Sequence, residues 1–440
     1  MHADVLIVGA GPVGLFLASL LAARGQEVAV LERRAHPREH SRAIGLHPPA
    51  LDALAVLGLD RAAVAEGLAV HRGIGDGDGR RLGEMTFEHV HPRYPFVLTL
   101  PQSRTERLLS AHLERLAPGA LHRGLEVVGL DQHGNDDGGP VRVSVRPMGE
   151  TGSETWTAEV VVAADGARST VRRLVGIGTD RRDWGDSYLM GDFADRDGPG
   201  GRGTEPTAVI QLHRDGVVES FPLPGGQRRW VVHTGRHQRP ERAENLVALL
   251  HERQGGHRRD GQGERRSATR SALPELPDPA TATMVRSFSV YRQLARRMVV
   301  GRTVLIGDAA HAISPIGGLG MTLGWLDALA LAPLLGDIPS RGRQRPVLNS
   351  ARDVGGAGGA DGGASPSGMV EDRPEFAAWE RSRQRAALRA ARQAEANMLL
   401  GRPLTSMICR GRDALARGVM ATPLRHQLAR MYTMGWAGQP

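Results

Sequence analysis

Gly9-Ala10-Gly11-Pro12-Val13-Gly14, Asp165-Gly166 and Gly307-Asp308 are the three places in this chain where residue types and spacing suit the chemistry of a nucleotide ligand. In the first, glycines let the backbone turn sharply and approach a pyrophosphate, and a helix starting there points free N–H groups at it. Glu32 follows at about 20 residues, the reach at which a carboxylate accepts hydrogen bonds from a ribose diol. Arg33 sits beside it. An acid at Glu32 rather than an arginine suits an unphosphorylated ribose.

The elements that must position these residues can be read around them. The apolar run Val5-Leu6-Ile7-Val8 predicts a strand, Leu15 to Ala23 a helix ending at Arg24-Gly25, and Val28-Ala29-Val30-Leu31 a second strand that delivers Glu32. Trp156 to Ala163 predicts a strand entering Asp165, and Thr303-Val304-Leu305-Ile306 one entering Gly307-Asp308. Gln102 to Leu116 has helical apolar spacing at Leu108, Leu109, Leu113 and Leu116, and Met321 to Leu335 and Phe376 to Leu400 are also expected as helices. On the last of these, Phe376, Trp379, Ala387, Ala391 and Met398 fall near one face, which packing against the first domain would bury.

Between about 176 and 285 the pattern changes to short alternating segments such as Ala208 to Leu212 and Arg229 to His233, the mark of an antiparallel sheet. The expectation is an α/β chain: a discontinuous dinucleotide-binding domain over 1–72, 97–175 and 286–337, and an inserted sheet domain over 73–96 and 176–285. Gly73 to Gly83 and His251 to Ser271 read as irregular or mobile. Residues 338–373, centred on Gly355-Gly356-Ala357-Gly358-Gly359, read as a low-complexity, disordered insertion, and 374–440 as a helical C-terminal region.

Composition narrows the function. The chain has 440 residues, 56 Lys+Arg against 48 Asp+Glu, and every one of those bases is arginine, which excludes Schiff-base and P-loop lysine chemistry. The arginines are interspersed with acids and aromatics make up 4%, so the net charge of +8 argues for attraction of anionic small molecules rather than for nucleic acid. Cys409 is the sole cysteine, which excludes an intrachain disulfide and a cysteine-based metal site and fits a reducing cytoplasm. No run reads as a membrane span, and the apolar stretch Val13 to Ala23 belongs to the dinucleotide motif rather than to a signal peptide. The pairs His89/His91 and His233/His237 have no matching carboxylate or cysteine cluster in the sequence, so no metal site is expected.

Gly307-Asp308-Ala309-Ala310-His311, continued by Ser314-Pro315-Ile316-Gly317-Gly318-Leu319-Gly320-Met321, resembles the class A, single-component FAD-dependent aromatic monooxygenases. These are the para-hydroxybenzoate hydroxylase-like family, with the related ubiquinone-pathway hydroxylases. Ala163 to Arg172 and Leu100 to Leu109 match the family's Asp-Gly and glutamine-bearing segments, and the likeness runs through nearly all of the chain outside 338–373.

The resemblance implies FAD as cofactor, and NAD(P)H and O2 as co-substrates without a second nicotinamide-binding unit. The reaction it implies is hydroxylation or epoxidation of an electron-rich ring or alkene through a C4a-hydroperoxyflavin; the arginine-only, Ala/Gly-rich composition points to a prenylated or polyketide-type aromatic as the substrate. It assigns Asp308 to a ribityl hydroxyl, Gln102 to the ribityl-phosphate region, Asp165 to the cofactor, and Arg42 to the cofactor phosphates or flavin edge. Gly318, Gly320 and Met321 would lie against the flavin and Pro315 against the ring face where oxygen reacts; Arg42 and Pro315 are the two residues nearest the chemistry. His311 is expected to be a structural hydrogen-bonding residue. Leu319 and Thr322 stand where the family has a glutamine and an asparagine. A dehydrogenase or reductase of the same fold, or a non-redox FAD-containing cyclase, remain the alternatives. Tyr188, Met190, Phe221 and Trp230 are candidate substrate walls by position.

Overall fold

The computed structural model of the chain describes residues 1–38, 43–77, 80–132, 139–196, 198, 205–236, 239–255, 274–338 and 369–437. β1 (His2–Val8), α1 (Pro12–Ala22) and β2 (Val28–Glu32) form the expected strand–helix–strand unit. β3 (Gly45–Leu46), α2 (Pro48–Val56), α3 (Asp60–Glu66) and β4 (Leu68–Val70) follow, then the hairpin β5 (Arg72–Gly77) and β6 (Arg80–Thr86). β7 (Val97–Thr99) leads through α4 (Gln102–Leu116), β8 (Leu121–Arg123), β9 (Leu125–Asp131) and β10 (Val141–Pro147) to β11 (Glu154–Ala163) and α5 (Thr170–Leu174). The middle third is β12 (Thr179–Ala194), β13 (Thr207–Leu212), β14 (Val218–Leu223), β15 (Gln227–Gly235), α6 (Ala243–Gly255) and β16 (Met284–Ala295). β17 (Val299–Val300), β18 (Thr303–Leu305) and β19 (His311–Ala312) precede the helices α7 (Leu319–Gly336), α8 (Pro374–Gly401), α9 (Ser406–Met420) and α10 (Leu424–Tyr432).

Two large sheets organise these elements. The first runs β17-β18-β11-β1-β2-β8, with β10 on β11 and β9 on β10. Its centre, from β18 to β8, is parallel. Val5 to Val8, Val28 to Leu31 and Val160 to Ala163 are continuous apolar runs because both faces are covered. The second runs β19-β16-β12-β15-β14-β13-β5-β6, antiparallel except where β13 meets β5. β3, β7 and β4 make a small third sheet. The fold is α/β, a Rossmann-like domain carrying a mainly antiparallel sheet and C-terminal helices.

α8 ties the two sheets together. Phe376 and Trp379 join the core of the first sheet, whereas Met398, towards its other end, packs against the inner face of the second.

Several expectations need correction. Gly73 to Gly83 is not irregular: it lies largely in the β5–β6 hairpin, whose glycines admit α9. A Cβ on Gly83 would stand 2.5 Å from Met420 Cβ, and one on Gly77 2.6 Å from Asp413 Oδ2. A boundary at 285/286 would cut β16, which pairs with β12 from Met284 to Ala295, so that strand belongs to the second sheet. His251 to Gly255 closes α6; the remainder of that stretch lies outside the described residues.

The region 338–373 lies mostly outside them too, but its end is packed: Val370 is buried, and Glu371 accepts hydrogen bonds from the Gly301 N–H (2.6 Å) and Arg297 (2.9 Å). α7, with 18 residues and mean hydropathy 1.4, is long and apolar enough by composition to cross a membrane. It packs instead between α1 and α8, with a buried ion pair at its centre.

Candidate active site

The three motifs meet because glycines let their backbones touch. Gly9 has φ +107°, and a Cβ there would sit 2.4 Å from the Ala164 carbonyl oxygen and 2.9 Å from Asp165 Cα. The end of β1 therefore lies directly on the turn that carries Asp165. Val13, in the first turn of α1, reaches across to the third motif: a Cβ on Gly307 would meet its Cγ2 at 3.2 Å and one on Gly324 at 2.6 Å. Trp325 closes this joint by donating from Nε1 to the Pro12 carbonyl at 2.9 Å.

Glu32 and Asp165 are fixed by main-chain donors. Glu32 accepts from the N–H groups of Ala10 (3.0 Å) and Arg34 (2.9 Å) and from Arg34 Nε (3.0 Å). Burial alone would raise its carboxyl, but the Arg34 N–H and guanidinium and the Ala10 N–H together hold it below the usual range, so it is an ionised acceptor. Asp165 Oδ2 accepts from the N–H groups of Thr170 (2.7 Å) and Val171 (3.2 Å), which starts α5. Arg172 on that helix donates to the carbonyls of Ala309 (2.7 Å) and Ala167 (2.9 Å), stapling the second motif to the third.

Two long helices begin here without a side-chain cap. α1 starts after Gly11 and α7 after Gly318, where φ is +68°. Gly11 has nothing within 4 Å of where a Cβ would stand. Uncapped N–H groups over open space suit a pyrophosphate at α1 and, at α7, negative charge on a ring system. Exposed Asp308 turns its Oδ1 towards Gly320, at 3.9 Å from a Cβ placed there. The donor set, the glycine cradle and the acid at Glu32 thus fit a flavin dinucleotide.

A family model described as FAD binding domain matches residues 2–348. The chain belongs to this FAD-binding family. Its cofactor is FAD. Among curated relatives, 6-methylpretetramide 4-monooxygenase of Streptomyces rimosus is 33% identical over 355 residues, 78% of this chain and 57% of that protein. The 12-dehydrotetracycline 5-monooxygenase/anhydrotetracycline 6-monooxygenase of the same species is 34% identical over 346 residues, 76% of this chain and 63% of that protein. The chain thus spans about three fifths of the length of these relatives. Of solved structures, p-nitrophenol 4-monooxygenase from Pseudomonas putida DLL-E4 superimposes with TM-score 0.76 over 99% of this chain and 98% of that one, at 22% identity. The anhydrotetracycline hydroxylase of Streptomyces rimosus gives 0.70 over 99% and 76%, at 27% identity.

In this FAD-binding protein the remaining sequence candidates fall as follows. Gln102 begins α4, takes the Ala43 carbonyl with its N–H (3.1 Å) and donates from Nε2 to Glu106 (2.7 Å). Arg33 is exposed. Arg42 lies outside the described residues. Pro315 is exposed at the start of a turn closed by the Gly318 N–H to its carbonyl (2.9 Å), and Met321 is buried in the first turn of α7.

Leu319 and Thr322, the two departures from the family pattern, are fully buried. Leu319 packs against Ala387 and Ala390 of α8, and the Thr322 hydroxyl has no partner. Their side chains serve the helix packing.

His91 and His233 each meet a single acid rather than a cluster: His91 Nε2 lies 3.0 Å from Asp52, and His233 Nε2 lies 3.3 Å from Asp186. No group of three such side chains placed to hold a metal ion forms among the described residues, and His237 is outside them.

His311 is a structural residue, paired with Asp327 in the middle of apolar α7. Asp327 also accepts from the Gly307 N–H (3.1 Å) and Arg383 Nε (2.7 Å). Burial opposes charge on both partners, yet their mutual attraction raises His311 and lowers Asp327. Sequence reading missed Asp327, although a lone acid in Leu319–Gly336 was a visible signal. It also missed His47, whose Nε2–H donates to the Gly317 carbonyl at 2.8 Å. Burial lowers that imidazole to about 4, so it holds the glycine turn as a neutral ring.

The second sheet turns one face to the Pro315–Gly318 turn. Tyr188, Met190, Val231, Phe288 and Met398 cluster there with Ile316. Trp230 does not: as the neighbour of Val231 it points the other way, into the core beneath α6 with Leu246 and Leu250.

Proposed function

We propose that this chain is an FAD-dependent monooxygenase that uses NAD(P)H and O2 to hydroxylate or epoxidise an aromatic, polyketide-type small molecule. The observation that carries the reading is the apposition of an uncapped helix and glycine turn, Pro315–Gly318, to an apolar aromatic sheet face through Ile316. A flat ring held on the first would lie against a substrate held on the second. When bound, FAD supplies the reduction and oxygen-transfer chemistry. Gly9, Gly11, Pro12, Val13 and Gly14 would hold its pyrophosphate, Glu32 with Arg33 its ribose, Gln102 and Asp308 the ribityl chain, Asp165 the turn behind it, and Gly318, Gly320 and Met321 the ring.

The chain's own work is to bind, orient and exclude water. The buried cluster around Tyr188 and Phe288 keeps the substrate side dry. The N-terminal end of α7 favours negative charge on the reduced ring. Pro315 would bound the reacting face, and Arg42 would serve the cofactor phosphates or flavin edge. The tetracycline-type and nitrophenol substrates named for the relatives support a phenolic or polycyclic ring, and the cytosol is the compartment that suits the single cysteine and a nicotinamide reductant.

The experiment is anaerobic addition of NADPH or NADH to the yellow protein with and without a panel of phenols, followed by labelled O2. Faster bleaching with one class, and incorporation of one oxygen atom into it, is the expected result. Bleaching without incorporation would favour a dehydrogenase or reductase, and a flavin that never bleaches a non-redox role.

A further inference from the structure

One register line crosses the second sheet on its inner face. Met190 lies opposite Val231, Val231 opposite Glu219, and Glu219 opposite Ile210, so these four side chains share a face. Met190 and Val231 belong to the cluster that includes Ile316 of the glycine turn and Met398 of α8, and Ile210 packs against it. Glu219 is the one acid in this row. It is 7% exposed, and burial, with no hydrogen bond or cation among the described residues to oppose it, pushes its carboxyl up to about 7.

Two phenols face it. Tyr188 comes from β12 and Tyr432 from the end of α10; burial and then the Glu219 charge hold both above the usual phenol range. The Tyr188 hydroxyl is itself buried without a partner. Behind Tyr188, Arg402 is taken by Asp186 at 2.7 Å, and Asp186 is also the partner of His233. Behind Tyr432 stands His47, with ring centroids 5.9 Å apart, already bonded to Gly317. None of these supplies Glu219 with a counter-charge. An uncompensated buried acid costs stability and persists where a ligand uses it.

We propose that Glu219 receives the hydroxyl of a phenolic substrate whose ring lies between this sheet face and the Pro315–Gly318 turn. The proposal deepens the monooxygenase reading and rests on it. The substrate O–H donates to the carboxylate. If the proton crosses, one O–H bond breaks on the ring oxygen, one forms on Glu219, and the charge moves to the ring oxygen. That enriches the ring carbons ortho and para to it, where an electrophilic oxygen would add. A carboxyl lifted towards neutrality is a better acceptor for that proton than an ordinary one. Met190, Val231, Ile210 and Phe288 then select an apolar ring body, and Glu219 fixes which edge points inward.

Calorimetric titration of the FAD-loaded protein tests this with matched probes, 1-naphthol against naphthalene and 4-methylphenol against toluene, across pH about 6 to 8.5. In the wild type the hydroxylated member of each pair should bind about ten-fold or more tightly. That preference should strengthen as pH rises through about 7 and the carboxyl ionises. Glu219→Gln should flatten the pH dependence, and Glu219→Leu should remove the preference itself. A wild type without a hydroxyl preference in either pair overturns the proposal, as does a preference that survives in Glu219→Leu, which would move the role to Tyr188. NADPH bleaching of the wild-type flavin is followed on the same samples: a flavin that never bleaches sinks the monooxygenase reading while the titrations still decide Glu219.

Discussion

The cofactor cradle and the sheet face opposite it treat their acids in opposite ways. Glu32, Asp165 and Asp327 each accept at least one main-chain N–H, from Ala10 and Arg34, from Thr170 and Val171, and from Gly307. Glu219, buried as Glu32 and Asp327 are, takes none among the described residues. A carboxylate bonded to backbone defines the shape of the chain around it and is part of the scaffold. One left without donors contributes nothing to the scaffold and destabilises it whenever charged. The cradle's acids are set by the backbone before a ligand arrives, whereas the acid of the sheet face waits for one.

The sharpest way to break the comparison is at Asp327. Asp327→Ala strands His311 and Arg383 in the interior and removes the acceptor of the Gly307 N–H, so a loss of about 3–5 kcal/mol is expected in denaturant unfolding. FAD retention should fall with it, because Gly307 carries Asp308. With a raised His311 and a lowered Asp327, the pair stabilises fully between the ordinary carboxyl range and the ordinary imidazole range; that contribution is lost as pH falls through the lowered Asp327 value or rises through the raised His311 value. A loss under about 1 kcal/mol would mean that the cradle is not held from beneath.

Gly9 and Gly11 separate fold from ligand within one motif. Gly9→Ala forces a side chain into φ +107° and against the Ala164 carbonyl, costing about 3 kcal/mol or more and the site with it. Gly11→Ala meets nothing within 4 Å at φ −74°, so stability should hold within about 0.5 kcal/mol. Its methyl would still enter the space over the α1 N-terminus, and FAD affinity, read by flavin fluorescence, should drop about ten-fold. Equal effects of the two changes would contradict the fit of a pyrophosphate there.

What could be read in advance follows the same divide. α4 begins at Gln102 and ends at Leu116 as its apolar spacing predicts, and β11 runs into Asp165, because local patterns and backbone-driven motifs are written in consecutive residues. The likeness of the Gly307–Met321 segment to the flavin hydroxylases carries the rest of the cradle. The hairpin β5–β6 was hidden because its glycines, read as loop, answer to α9 more than three hundred residues later. Glu219 was hidden for a related reason. In Val218–Leu223 nothing local says which face is inward; that is set by register with Val231 and Ile210, and the same register sends Trp230 to the wrong side for a substrate wall.

Glu219→Gln sharpens the comparison from the stability side. The folded carboxyl titrates at about 7 against an ordinary value of 4.5, so between these limits the native state keeps a proton that the unfolded chain has lost. Stability therefore falls as pH rises through this window, by about 3 kcal/mol once above it. The amide does not titrate. Glu219→Gln and wild type should unfold alike near pH 4.5, and the variant should be more stable by roughly that amount near pH 8. A variant less stable than wild type at high pH would reveal a partner for Glu219 and return it to the scaffold class.

Thr322 provides the smallest and most discriminating change. Its hydroxyl lies buried in the first turn of α7 without a partner, in a helix whose one acid, Asp327, is engaged through both oxygens. Thr322→Val replaces an unmet donor with a methyl of similar shape, so unfolding should be unchanged or strengthened by up to about 1 kcal/mol, with FAD retained. If the valine variant keeps its fold but releases flavin, the hydroxyl is reserved for the cofactor, and the cradle too would contain a polar group that only its ligand completes.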